Sequence, residues 1–293
     1  MNKERSALII SLSSFIVWGM LVIYWHRLSD VDPVEVVAHR AIWSLVFTFI
    51  LIICLRRLSE AFNILRTPKY ILPLIVSSLL IAGNWGIFIW AVANERILES
   101  SMGYYINPLF NVAASALIFK TALNKVQKTA VLSAVIGVVY MIFVYGKVPY
   151  ISIMLAASFC AYGIIKKTIP ASALTGLFIE TLIISVPSAI YIIAAIMNGT
   201  SAVQGGDNTV KILLICGGIV TTLPLMGFTY GARNLNLSTL GIIQYITPTM
   251  SFLLGIFLYN EHFNVSMLIT FIFIWAGIII YSADGILRLK FKK

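Results

Sequence analysis

Residues 103–108 read GYYINP, and residues 244–248 read QYITP. Each string sits in a long apolar run, where a proline removes a backbone donor and crowds the preceding turn. A Tyr-Ile-polar-Pro signature placed twice in oily surroundings therefore needs a cause. Sliding the chain against itself until Tyr105 lies over Tyr245 supplies one. In that register Asn94 meets Asn234, Ile106 meets Ile246, Pro108 meets Pro248, Asn124 meets Asn264 and Gly137 meets Gly277. Near the start the best register is slightly longer, and SFIVWG (14–19) meets SFCAYG (158–163). The chain reads as two copies of one unit, 1–146 and 147–293.

Composition says what surrounds that unit. Of 293 residues, 60% are hydrophobic and 11% charged. A soluble domain carries about 25% charged residues. Too little polar surface remains to coat a globule, so lipid must solvate much of the chain. The net charge of +10 is spread in short basic clusters between apolar runs. That pattern fits loops beside a membrane and argues against a nucleic-acid partner. The three cysteines, Cys54, Cys160 and Cys216, fall in apolar segments with no disulfide or metal spacing. No metal or cofactor is expected.

A helix needs about 20 apolar residues to cross the hydrocarbon core. Ten stretches qualify: 6–25, 34–55, 70–93, 98–119, 126–145, 149–166, 171–197, 211–231, 237–258 and 265–287. The connections are short, except 56–69 and 198–210, and the latter reads as an exposed loop. With the N-terminus in the cytoplasm, sixteen Lys and Arg fall on the inner side and four outside, with Arg40 within a span. That bias predicts both termini inside. The expected fold is an all-α integral membrane protein: ten transmembrane helices in two five-helix repeats around a central cavity. Five is odd, so the second copy enters the membrane from the opposite side. Such inverted repeats are common in transporters, with the binding site near midplane.

The polar residues around the prolines follow helical spacing. In the fourth span, Ser100, Tyr104, Asn107, Asn111 and Ser115 share one face, and their counterparts in the ninth are Leu240, Gln244, Thr247, Ser251 and Gly255. Interhelical hydrogen bonding would explain any one hydroxyl. Two aligned stripes point instead to a cavity wall, with Pro108 and Pro248 at kinks. The third span adds Asn84 and Trp85, where Gly83 and Gly86 also allow close helix approach. Pro224 of the eighth span matches Asn84 in register and predicts a further kink. Trp18, Trp85, Tyr104, Tyr105, Tyr162 and Tyr245 border these positions. They suggest a ligand with an apolar or cationic part, although packing alone would also use such rings.

Three ionisable residues lie at depth: His39 and Arg40 in the second span and Glu180 in the seventh. A buried charge needs a partner or water. The register that joins Tyr105 to Tyr245 also joins Arg40 to Glu180, so mutual pairing is the expectation. Proton coupling through Glu180 is the alternative, and His39 reads as a hydrogen-bonded neighbour.

Seven strings in order carry a resemblance: FIVWG (15–19), HRAIWS (39–44), GNWGIFIWAV (83–92), ESSMGYYINP (99–108), TGLFIET (175–181), GIVTTLPL (218–225) and STLGIIQYITPT (238–249). Together they resemble the drug/metabolite transporter superfamily, in its EamA-type branch and its RarD-like permeases. The resemblance implies transport of small amphipathic metabolites, amino acids or drugs across the bacterial inner membrane. An intramembrane enzyme would need a nucleophile with its base, a metal set or acidic residues at an interface, and no His/Asp/Glu cluster stands out. A channel would need a filter-like loop. No nucleotide-binding loop points to ATP as the driving force.

Overall fold

The computed structural model describes residues 3–118, 120, 122–144, 146–205, 207–235 and 237–290. Among these, every regular element is helical. In chain order they are α1 (Lys3–His26), α2 (Pro33–Cys54), α3 (Leu58–Leu65), α4 (Pro68–Ala93), α5 (Ile97–Ile118), α6 (Lys125–Phe143), α7 (Tyr150–Lys166), α8 (Ala173–Met197), α9 (Ala202–Gly205), α10 (Asn208–Asn234), α11 (Leu237–Ile243), α12 (Ile246–Phe257) and α13 (Val265–Lys290). The side chains of Ser115, Arg233 and Asp284 lie outside the described set, as does Gly206 of the 198–210 loop.

Local sequence explains where several helices begin. Pro33 opens α2, and the Asp32 carboxylate accepts from Val34 N at 2.7 Å. The Ser172 hydroxyl caps α8 by accepting from Thr175 N at 3.3 Å. Asn124 and Gln127 form a reciprocal capping box at α6.

Among the described residues, seven helices are long and apolar enough to cross a membrane: α1, α2, α4, α6, α8, α10 and α13. The three remaining expected spans depart from that standard for separate reasons. α7 has 17 residues. α5 has 22 but carries Glu99 and the polar stripe. The third, 237–258, is divided into α11 and α12. Many large apolar side chains on the spans face outward, among them Leu72, Leu79, Val186, Ile190 and Ile279. In water this surface would be untenable; in lipid it is solvated.

The two copies of the opening motif behave differently. α5 runs unbroken through Pro108, whereas the second copy turns at Gln244–Tyr245. Pro248 leaves the Gln244 carbonyl without its usual donor one turn on, and Thr247 N takes that carbonyl instead at 3.3 Å. Around Pro108, Met102, Tyr105, Ile106 and Leu109 are all buried and hold the helix in line. The residues at 242–247 are exposed or half-buried, so packing does not restore regularity there.

α1 packs on α10 and α12, α2 on α8 and α10, α4 on α7 and α8, α5 on α7 and α12, and α6 on α13. Glycines permit the closest crossings. A Cβ at Gly218 would run into the Trp43 carbonyl. At the α6–α13 crossing, a Cβ on Gly137 would meet Thr270 O at 3.0 Å, and one on Gly277 would meet Ala130 O at 2.6 Å. The Ser133 hydroxyl donates to Phe273 O across the same crossing at 2.6 Å.

Two carboxylates fix the relation of α2 to α8. Glu60 of α3, just past the C-terminal end of α2, accepts from Ser172 N at 2.7 Å. Glu35, buried in the first turn of α2, accepts from Ser201 Oγ at 2.6 Å and Ala202 N at 3.0 Å, just past the end of α8. α2 and α8 are therefore antiparallel. The 198–210 loop is also not simply exposed: Ser201 is buried and tied to Glu35.

Candidate functional site

Arg40 and Glu180 each lie seven residues after the start of their helix, about 10 Å in at 1.5 Å per residue. Because α2 and α8 are antiparallel, these depths are measured from opposite ends, and the expected pairing does not form. Glu180, fully buried, receives Lys166 Nζ at 3.0 Å and Ser77 Oγ at 2.9 Å on Oε1. The Tyr162 hydroxyl donates to its Oε2 at 3.1 Å. One carboxylate thus joins α4, α7 and α8. The sequence reading missed Lys166 because the lysine lies at the end of α7, where cations mark the membrane border. Its long stem carries the ammonium back inward.

Arg40 has a different setting. Its guanidinium carbon sits 4.2 Å from the ring centroid of Trp85 and 4.9 Å from that of Trp25. Nε donates to Thr221 Oγ1 at 2.9 Å, and Thr221 in turn donates to Gly217 O at 2.8 Å. Tyr24 and Tyr104 lie within electrostatic range. The Tyr24 hydroxyl donates to Leu213 O, and Tyr104 meets the edge of Phe88 at 5.7 Å. Among the described residues, no carboxylate is within ion-pairing distance of Arg40. Beside it, the buried Trp25 Nε1 lacks a partner. This setting gathers α1, α2, α4, α5 and α10 around one cation. His39, one position earlier, has its Nε2 3.8 Å from Glu35 Oε1 and no hydrogen bond at that nitrogen.

The stripe residues are distributed rather than pooled. Tyr104 reaches the Arg40 setting, and Asn107 Oδ1 is buried without a partner. Thr247 turns toward α1, donating to Phe15 O at 2.8 Å. Ser251 is buried, while Asn111 is exposed on α5 and Gln244 half-buried at the α11–α12 turn. Tyr105 and Tyr245 stack on each other at 6.2 Å, against Phe271 and Trp275 of α13 for Tyr105. The Tyr105 and Thr249 hydroxyls are bonded at 2.7 Å. Asn84 holds α4 to α7 by donating to Leu155 O at 3.0 Å and Ser158 Oγ at 2.9 Å. Trp18 packs between Phe15 and Phe228. Pro224 lies inside a continuous α10, as Pro108 does in α5.

A cleft of about 410 Å³ opens between α2, α8 and α10. Its walls include Leu55, Arg57, Ser172, Leu174, Thr222 and Tyr230, but no stripe residue. Thr222 adjoins the Arg40 partner Thr221, and its buried hydroxyl has no partner. Among the described residues, no cluster of His, Cys, Asp and Glu is arranged to hold a metal ion.

At the end of the molecule nearer Arg40, Glu261 caps α5 by accepting from Leu98 N at 2.8 Å and from Ile97 N. Burial pushes its carboxyl up to about 7, and Glu95 and Glu99 add to that rise against the two amide hydrogen bonds. Across the same loop, Arg96 binds Glu99 at 2.5 Å and the Tyr150 hydroxyl.

Comparison with known proteins agrees with this picture. The sequence profile of the EamA-like transporter family matches residues 5–143. An "Uncharacterized transporter" of Vibrio cholerae is 42% identical over 97% of this chain and 94% of its own length. "Protein RarD" of Escherichia coli is 39% identical over 97% of this chain and 96% of its own. A crystal structure at 17% identity superposes with a TM-score of 0.57 over 94% of this chain and 97% of that one, and so shares the fold. The chain belongs to the EamA-like transporter family, among the RarD-type permeases, and is a multi-pass membrane transporter of the bacterial inner-membrane kind.

Proposed function

We propose that this protein is a secondary transporter that moves small amphipathic metabolites, amino acids or drugs by alternating access between two inverted five-helix repeats. The repeats are 1–146 and 147–293, each with five spans, and both termini lie in the cytoplasm. The observation that carries the reading is the helix pairing. Pair each helix with its counterpart in the other repeat: α1 with α7, α2 with α8, α4 with α10, α5 with α11–α12, and α6 with α13. The α1–α10 contact then becomes α7–α4, and α1–α12 becomes α7–α5; both partners occur. The α2–α10 contact becomes α8–α4, which also occurs. The α2–α8, α5–α12 and α6–α13 contacts map onto themselves. A pseudo-two-fold axis in the membrane plane produces that pattern.

The substrate path in this reading runs between the halves, with Tyr104, Asn107 and Asn111 from one repeat and Gln244, Thr247 and Ser251 from the other. The unpartnered Asn107 oxygen supports it. Purified protein in proteoliposomes, under an imposed pH gradient, should accumulate or release at least one solute from a panel of labelled metabolites. Asn107→Ala and Gln244→Ala should lower that flux about tenfold while leaving the protein monodisperse. Wild-type vesicles no more permeable than empty ones across the whole panel would refute transport.

A further inference from the structure

We propose that Arg40 is the binding point for an anionic group, so that the transported solute is an amphipathic organic carboxylate with a planar or aromatic body. This rests on the transporter reading and narrows its substrate class. The argument starts from charge. Arg40 is 6% exposed, yet among the described residues no carboxylate pairs with it. A buried ion left uncompensated is strongly unfavourable, and structural arginines in lipid-embedded bundles are normally paired. Glu180, its counterpart in the second half of the sequence, shows what a structural arrangement looks like here: three donors on one carboxylate.

The neighbours of Arg40 offer it two indole faces and one hydroxyl oxygen, but no carboxylate among the described residues. Nε is used by Thr221, and no carboxylate among the described residues pairs with the remaining two nitrogens. Trp25 Nε1, in the ring stacked on the guanidinium, is a buried donor without a partner. A buried guanidinium with no carboxylate partner, beside an unpartnered indole N–H, describes a site for an oxyanion. A guanidinium fork matches the two oxygens of a carboxylate in geometry and charge. Beyond the two indoles that face the guanidinium, Tyr104 and Phe88 give a planar body an aromatic surface to lie against. A cationic ligand, which the aromatic residues alone would allow, is excluded by the same guanidinium.

The cleft begins one residue along α10 from Thr221, and its walls do not include Arg40. Thr222 on its wall adjoins Thr221, and Leu225 on the same wall packs in one cluster with Trp85. At the cleft wall stands Arg57, ion-paired with Glu60 at 3.5 Å.

The test measures binding, independent of flux. Phenylacetate, its neutral amide and phenethylammonium are titrated against the full-length protein in detergent, reading tryptophan fluorescence and thermal stability. Phenylacetate should quench and stabilise; the ammonium should do neither. Arg40→Gln should weaken the phenylacetate response at least tenfold and leave the response to the amide unchanged. Arg40→Lys, which keeps charge but not the fork, should fall between. Without ligand, Arg40→Gln should melt higher than wild type, because a lone buried charge has been removed; a purely structural arginine would give a lower melting point. The proposal is overturned if phenylacetate binds Arg40→Gln as well as wild type, or if the ammonium binds wild type better. It is also overturned if no phenylacetate response occurs, or if chloride or phosphate alone reproduces the response at equal concentration. Arg40-dependent binding with no flux in vesicles would instead sink the transporter reading. Flux without Arg40-dependent binding would sink only this one.

Discussion

Arg40 and Glu180 stand at matching places in the two halves of the sequence, and the structure treats them oppositely. Glu180 is buried and saturated, with a lysine, a serine and a tyrosine on its two oxygens. Arg40 is buried and left short, with one hydroxyl and two indole faces. Charge satisfied within the protein is architecture. Charge left wanting at the centre of five converging helices is an invitation to a ligand. The pair therefore divides the molecule into a half that is braced and a half that is open to something from outside.

The contrast breaks first at Lys166. Lys166→Met leaves the Glu180 carboxylate buried without its cation and should lower stability in detergent by about 3–5 kcal/mol. Lys166→Met with Glu180→Gln should recover most of that loss, and a thermal melt reads both. Additive losses in the double variant would mean the two residues do not act as a pair.

The second arm is smaller and opposite in sign. Arg40→Gln should raise ligand-free stability by about 1–2 kcal/mol, the cost of the lone charge less the indole contacts it forgoes. A melting point well below wild type would place Arg40 in the same structural class as Glu180.

A third experiment asks whether the open half responds to pH. The folded protein holds the Glu261 proton up to about pH 7, above the ordinary carboxyl range. The native state thus binds that proton more tightly than the unfolded chain does, so stability should fall as pH rises from about 4.5 through 7. Glu261→Gln should flatten that slope, seen as melting curves that converge with wild type at low pH. An unchanged slope would assign it to another group.

The weakest perturbation fixes which side each charge faces. With Cys54, Cys160 and Cys216 replaced, single cysteines at Asn198 and Lys125, both exposed, should differ in intact cells. Asn198→Cys should react with an impermeant thiol reagent and Lys125→Cys should not, which would put Arg40 toward the outside. Equal labelling would reverse or void that orientation.

Much of the fold was legible because lipid imposes simple rules. Apolar runs of helical length marked the helices that are long enough to span, and the repeated Pro108 and Pro248 strings supplied the register by which they can be paired. The α11–α12 break was not legible, because matching motifs at Pro108 and Pro248 diverge through neighbours far away in sequence. The site was read only in part. Arg40, Trp85 and Tyr104 were found by their polarity or size at depth and do meet. Tyr105 and Tyr245 were grouped with them as aromatic neighbours of the stripes but pack toward α13. Lys166 and the capping carboxylates Glu35, Glu60 and Glu261 were missed. Each acts on an element more than a dozen residues away, and no local period marks such a partner.

The α6–α13 crossing has a further consequence. Gly137 faces Thr270 and Phe273, and Gly277 faces Ala130 and Ser133. The register that carries Gly137 onto Gly277 also carries Ala130 onto Thr270 and Ser133 onto Phe273, so each surface is a counterpart of the one it touches. That is the signature of an isologous dimer contact, in which two identical chains would meet through the same patch. A half-length chain ending after α6 would carry both members of that contact in one surface. The crossing thus has, within one chain, the self-complementary form of a seam between two copies.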